Sequence, residues 1–268
     1  MAETIEEALS TAVHMPYNSA GSLMAVAGKF QEKLGGTCAQ QLIRTRKLLS
    51  NIGIEMDFLR ALNGSVHHAG IATVTGEQFF LDPSKGQRKP ISLTKLFESK
   101  TPQFSEAFPT NLRTRRLITL VRGEEPETFS QHTTTFNATT GPSGKTDSEF
   151  FNLRNRDSEP PNSEIDCATI LREEAIRMVT VLRCKNPKYD KDVGVVKVTA
   201  DGKFTARFLG GPSEKKDVAF RIFRETARAC GVKPKELREY LREALLFLIR
   251  DLGTPIKEAS VPIDSVTP

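Results

Sequence analysis

Apolar residues recur along the chain in two periods, and the change from one to the other divides it. Over residues 5–13 and 20–34 the spacing is helical; in the second stretch Leu23, Val26 and Phe30 share a side. Gly35-Gly36 closes that stretch. A further helix is expected from Thr37, a residue type suited to capping, to about Asn51, ahead of Gly53. Leu42, Leu48, Leu49 and Ile52 supply its apolar stripe. Beyond Gly53 the period shortens to that of strands. "IEMDFLRAL" (54–62) reads as a strand running to a turn at Asn63-Gly64. "VHHAGIATV" (66–74) and "EQFFLD" (77–82) flank Thr75-Gly76, a hairpin signal, and Pro83 ends the second strand. "RRLITLV" (115–121), "ETFSQHTTTF" (127–136), "RMVTVLR" (177–183) and the pair "VGVVKVT" and "KFTARFL" around Asp201-Gly202 add more strands. Residues 137–149 and 156–164 are rich in Gly, Pro, Ser and Asn and read as loops. Two helices close the chain. Val218, Ile222 and Phe223 stripe the first; Leu237, Leu241, Ala244, Leu245 and Leu248 stripe the second, with Pro234 in its first turn.

Helices, then strands, then helices define an α+β chain. The expected divisions are a helical region over 1–62, a β-rich, barrel-like region over 63–165 and a C-terminal α/β region over 166–268. A length of 268 residues suffices for a sizeable core, and 38% hydrophobic with 26% charged residues excludes wholesale disorder. The net charge of +5 is too small for a dedicated nucleic-acid binder. "RTRK" (44–47) and "RTRR" (113–116) read as solvated faces, or as a site for a phosphorylated ligand. No apolar run approaches the roughly 20 residues of a membrane span. "MAETIEEALS" lacks the basic start and apolar stretch of a signal peptide, so a cytoplasmic protein is expected. The cysteines, at 38, 167, 184 and 230, form no CxxC pair, which argues against a metal site and against a disulfide framework.

The chemistry lies in Cys38, a histidine at 67 or 68, and Asp82. Cys38 opens an expected helix, where the positive end of the dipole and a neighbouring imidazole would favour thiolate. A carboxylate on the far nitrogen of that imidazole would orient it, and backbone N–H groups at the helix start would stabilise an oxyanion. The hairpin register selects the histidine. With a two-residue turn at Thr75-Gly76, Val74 pairs with Glu77 and Asp82 falls opposite Ala69. His67 then shares the face of Ala69 and lies diagonal to Asp82, whereas His68 points away. A three-residue loop would reverse the choice. The bland alternatives are a structural thiol at a helix start and histidines on a polar face. Phe79, Phe80, Phe104 and Phe108 could line an aromatic pocket, with core packing the better reading.

"GGTCAQQLIRTRKLLSNIGI" and "HHAGIATVTGEQFFLD" together resemble the core shared by transglutaminase-like cysteine enzymes and arylamine N-acetyltransferases. "HMPYN" (14–18), "KGQRKPISL" (85–93), "DSEFFN" with "SEPPNSEI" (147–165) and "FRETARACGVKPKEL" (223–237) resemble acetyltransferase segments. Gln40-Gln41 and Asp82-Pro83 differ from that pattern, and Asp-Pro is closer to transglutaminase-like sequences. The resemblance implies a cysteine-proteinase/transglutaminase-like core with a C-terminal α/β lid. It also implies a Cys38–His67–Asp82 triad that moves an acyl group from acetyl-CoA or another acyl-CoA to a small-molecule amine, without a metal. Lys85, Gly86 and Arg88 would then meet the coenzyme. The alternative keeps the triad and attacks a carboxamide or peptide bond.

Overall fold

The computed structural model describes residues 2–62, 67–107, 114–137, 141–142, 147–161, 175–181, 193–199, 204–208 and 216–250. The expected turns at Asn63-Gly64 and Asp201-Gly202, together with Phe108, Cys167 and Cys184, lie outside them. The architecture is α+β, and the chain forms two compact units. One comprises residues 1–14 and 38–161, the other residues 15–37 and 162–268.

In the first unit, helices α1 (Ala2–Val13) and α3 (Cys38–Ser50) pack against an antiparallel sheet. Its strands are β2 (Glu55–Arg60), β3 (His68–Val74), β4 (Glu77–Leu81), β5 (Ile91–Ser92) and β11 (Arg156–Asp157), in the order β11-β2-β3-β4-β5. Alternation gives this sheet two apolar faces. Met56, Phe58, Ala72 and Leu81 meet Ile5 and Leu9 of α1 and Leu42 and Leu49 of α3. Leu59, Ala69, Ile71 and Phe80 meet Ile118, Leu120, Phe129 and Phe151. The latter four belong to a second antiparallel sheet of β6 (Gln103–Ala107), β7 (Thr114–Arg122), β8 (Thr128–Asn137) and β10 (Asp147–Asn152), ordered β10-β8-β7-β6, with β9 (Gly141–Pro142) paired to β8. Strand β10 begins inside a stretch that reads as a loop, since its polar residues pair with β8 and contribute only Phe151 to the core. Helix α4 (Leu93–Ser99) is capped by Ser92, whose hydroxyl accepts from the Lys95 amide at 3.1 Å.

In the second unit, β1 (Tyr17–Asn18), β12 (Ala175–Val181), β13 (Val193–Thr199) and β14 (Phe204–Phe208) form an antiparallel sheet in that order. Ile176, Met178, Val196 and Val198 turn one face to α2 (Ala20–Val26), α5 (Lys216–Ala229) and α6 (Pro234–Arg250). Every residue of the stripe expected on α6 is buried. The expected helix over 20–34 stops instead at Val26. Gly28 adopts φ +70°, and the Lys29 amide donates to the Met24 carbonyl at 2.7 Å, a Schellman closure that only a left-handed residue permits. Val26 and Phe30 are consequently exposed rather than part of a stripe.

Candidate active site

The glycines before Cys38 are held by backbone geometry. Gly35 has φ +87°, and a Cβ there would sit 2.1 Å from the Pro16 carbonyl oxygen. That carbonyl accepts from the Gly36 amide at 3.1 Å, and the Gly36 carbonyl accepts from the Asn18 amide at 2.9 Å. The buried Asn18 side chain donates to the Leu34 carbonyl at 2.8 Å. The chain thus reaches Thr37 along a fixed path, and α3 begins at Cys38. Close packing of α3 on its sheet also uses Gly70, where a Cβ would lie 2.9 Å from the Met56 sulfur and 3.3 Å from Leu42.

The β3–β4 hairpin pairs Val74 with Glu77 and Gly70 with Leu81. Its turn residues Thr75 and Gly76 have φ +50° and +83°, as a two-residue type I′ turn requires. This register brings His67 and Asp82 together: His67 Nε2 donates to Asp82 Oδ2 at 2.9 Å. His67 also hydrogen-bonds the Cys38 side chain, for which Nδ1 is the remaining ring nitrogen. Sequence-expected Cys38, His67 and Asp82 therefore lie in one hydrogen-bonded line. Cys38 and His67 retain 8% and 9% of their surface and Asp82 none, so the line is open only at its sulfur–imidazole end. His68 is buried on the opposite face of β3, across from Arg60. Phe151 packs its edge against the His67 ring at 6.3 Å and stacks on Phe129, which fixes the plane of the imidazole.

Asp82 is held from four sides. Oδ2 also accepts from the Gln131 amide at 2.7 Å, while Oδ1 accepts from the Ser84 hydroxyl at 2.7 Å and the Lys85 amide at 3.2 Å. The last two arise because Asp82 caps a short 3₁₀ turn, Pro83–Lys85, with proline in its first turn. The Asp82 amide donates to Gln87 Oε1 at 2.6 Å, and Gln87 Nε2 returns to the Phe80 carbonyl at 2.9 Å. Burial would raise the Asp82 pKa, but the charge and hydrogen bond of His67, with Lys85 and Gln131, hold it well below the usual carboxylate range. Burial likewise opposes a charged His67. The Asp82 charge, the bond to it and the bond to Cys38 outweigh that opposition, so His67 titrates well above its ordinary range.

Sequence reasoning missed Gln131, which sits on a strand far from Asp82 in the chain. Its only signal is phase: it shares the buried face of β8 with Phe129, where a polar residue needs a partner. The capping role of Asp82 had a clearer signal in the Asp-Pro-Ser order. Of the residues expected at a coenzyme, Lys85 places its ammonium 3.8 Å from Glu149, with 18% of its side chain exposed. Gly86 closes the 3₁₀ turn at φ +77°, and Arg88 is half exposed, 3.7 Å from Glu106. Among the described residues no cluster of three or more His, Cys, Asp or Glu could hold a metal. None of the described helices is long and apolar enough to cross a membrane.

Neither a protein-family model nor a curated protein sequence matches the chain. Solved structures do. Arylamine N-acetyltransferase from M. smegmatis aligns with 92% of this chain and 92% of its own, at 14% identity and a TM-score of 0.50. The Mycobacterium marinum arylamine N-acetyltransferase in complex with CoA aligns over 91% and 92%, at 12% identity and a TM-score of 0.52. These likenesses show that the chain has an arylamine N-acetyltransferase-like fold.

Proposed function

We propose that the protein is an acyltransferase that carries an acyl group on Cys38 from a thioester to an amine. The observation that carries this reading is the line Cys38–His67–Asp82, with its buried and fully hydrogen-bonded carboxylate, in a fold like that of the arylamine N-acetyltransferases. Cys38 Sγ attacks the thioester carbonyl carbon while His67 takes the thiol proton. Backbone N–H groups in the first turn of α3 have no intrahelical acceptor and face the developing oxyanion. The donor thiolate leaves and takes up the proton from His67. An amine nitrogen then attacks the acyl-cysteine, gives its proton to His67, and the amide departs as Cys38 is regenerated. Asp82 stays ionised throughout and balances the imidazolium.

The donor class is an acyl-CoA, acetyl-CoA first, since one structure of like fold was solved in complex with CoA. Lys85, Gly86 and Arg88 are the proposed contacts. Both cations are ion-paired, Arg88 with Glu106 and Lys85 with Glu149; Arg88, with half of its side chain exposed, is the more open of the two to a phosphate.

Incubation with acetyl-CoA followed by intact mass measurement tests the reading. An acetyl adduct is expected on the wild type and absent from Cys38→Ala. Fast alkylation of Cys38 without an adduct would point instead to attack on a carboxamide or peptide bond. Alkylation no faster than at Cys230, whose thiol burial pushes up to about 12, would overturn cysteine catalysis altogether.

A further inference from the structure

We propose that Gln87 is a positioning residue of the triad: it fixes the main chain of Asp82, and through it the carboxylate that orients His67. The proposal rests on the Cys38–His67–Asp82 reading and deepens it. The main chain of Asp82 lies beyond the strand pairing. The β3–β4 ladder ends at Leu81 and the β4–β5 ladder at Phe80. Gln87 takes over from both. The Asp82 amide donates to Gln87 Oε1 at 2.6 Å, and the Asp82 carbonyl accepts from the Gln87 amide at 3.4 Å. Both main-chain polar groups of Asp82 thus end on one residue.

Gln87 is fully buried, and its carboxamide is committed on both sides. While Oε1 accepts from the Asp82 amide, Nε2 donates to the Phe80 carbonyl at 2.9 Å and to the Lys89 carbonyl at 2.7 Å. This place demands an acceptor and two donors without a charge, which a side-chain amide supplies and a carboxylate does not. The Phe80 carbonyl and the Asp82 amide flank Leu81 at the end of β4. They are groups a further strand would otherwise pair, and the carboxamide stands in for its peptide group.

Gln87 is itself anchored to the second sheet. It bridges to Ala107 of β6. The Arg88 amide donates to the Glu106 carbonyl at 2.9 Å, and the Lys89 amide to the Ser105 hydroxyl at 3.0 Å. Gln131, on β8 of the same sheet, holds the Asp82 carboxylate at 2.7 Å. One sheet therefore fixes Asp82 twice, its main chain through Gln87 and its side chain through Gln131. An aspartate side chain is short, so a shift of its main chain carries over to Oδ2 nearly undiminished. Constellations of this kind tolerate displacements of only about 0.5 Å. Loop closure alone would be served by any side chain that fills the space; positioning requires the amide.

Two full-length variants separate these roles. Gln87→Met keeps the bulk and loses the hydrogen bonds. Gln87→Glu offers a donor beside its acceptor only when protonated. Burial, the Asp82 charge and the facing carbonyls favour that protonated form; Lys85, Arg88 and Lys89 oppose it little, being paired with Glu149, Glu106 and Glu6. The rate of Cys38 alkylation by iodoacetamide is measured against pH. Gln87→Met is expected to be slower than wild type by about tenfold or more at neutral pH, and its ratio to wild type to fall further toward acid. The Gln87→Glu ratio is expected to rise toward acid instead, as protonation restores the pattern of the amide. The proton that His67 Nε2 shares with Asp82 gives a downfield NMR resonance, assigned by its loss in His67→Gln, that reads the positioning without any reaction. It is expected to move upfield in Gln87→Met. Should that variant not fold, Gln87→Glu carries the test at acidic pH. A wild-type rate and resonance in Gln87→Met, or a Gln87→Glu ratio that falls toward acid, would overturn the proposal. Failure of the acyltransferase reading shows separately, as a missing acetyl adduct on a wild type whose His67 resonance still depends on Gln87.

Discussion

At the scale of single residues, the site is a buried ion pair with its charges matched. The two shifts make its stabilising effect dependent on pH in opposite senses. Asp82 is depressed, so its contribution is full above the ordinary carboxylate range, about pH 4, and is lost as pH falls toward its folded value. His67 is raised, so its contribution is full below about pH 6.5 and is lost as pH rises through its folded value. The difference in Tm between wild type and Asp82→Asn should therefore be largest at about pH 5–6 and shrink toward both extremes, as differential scanning calorimetry will check. Gln131 acts through Asp82, as a positioning residue. Gln131→Leu removes a charge-assisted hydrogen bond worth roughly 1.5–3 kcal/mol and should lower the rate of Cys38 alkylation about tenfold or more. Its pH profile should shift toward higher pH than that of wild type, which loss of packing alone would not do. The placement of His67 beside Asp82 was legible in the sequence because strand alternation and a two-residue turn leave one histidine on the face of Asp82. Gln131 was not, because its partner is brought to it by the packing of one sheet on another, and no spacing in the chain encodes that.

At the scale of elements, strong local signals became structure and weak ones were overridden. Thr75-Gly76 forms the turn its residues favour, and α6 buries its whole stripe. Helix α2 is the contrary case. Its apolar spacing continues past Gly28, but a glycine with positive φ caps the helix and sends Val26 and Phe30 to the surface. Strand β1 has two residues, too few to show alternation at all. The most demanding local conformation is at Gly35. Gly35→Ala combines a positive φ with a Cβ 2.1 Å from a backbone oxygen that cannot swing aside. It should cost roughly 2–4 kcal/mol, read from urea midpoints. Cys38 alkylation should lose its advantage over Cys230 in the same variant, since the path into α3 is displaced.

At the scale of the whole molecule, α+β character was legible from the order of helices and strands, and the interleaving of the chain was not. Residues 15–37 pack with residues that follow Pro161: Leu23, Met24 and Leu34 share a core with Ile176, Phe223 and Leu241. Linear patterning reports which residues must be buried, not which of several apolar stripes will bury them. A chain cut after Pro161 therefore loses partners for a segment that lies between α1 and α3 in sequence. In that fragment, amides of 15–37 should exchange with solvent as fast as unfolded ones, as hydrogen exchange will measure, while β3 and β4 keep their protection.

The same connectivity sets a sequence of events during synthesis. Leu23, Met24 and Leu34 leave the ribosome early, but Phe223, Leu241 and their neighbours emerge near the end. Until then the segment that carries Pro16 and Asn18, the backbone partners of the Gly35–Thr37 lead-in, lacks the C-terminal half of the core it packs into. The stretch just before α3 is thus synthesised early and fixed late, once the C-terminal helices have emerged.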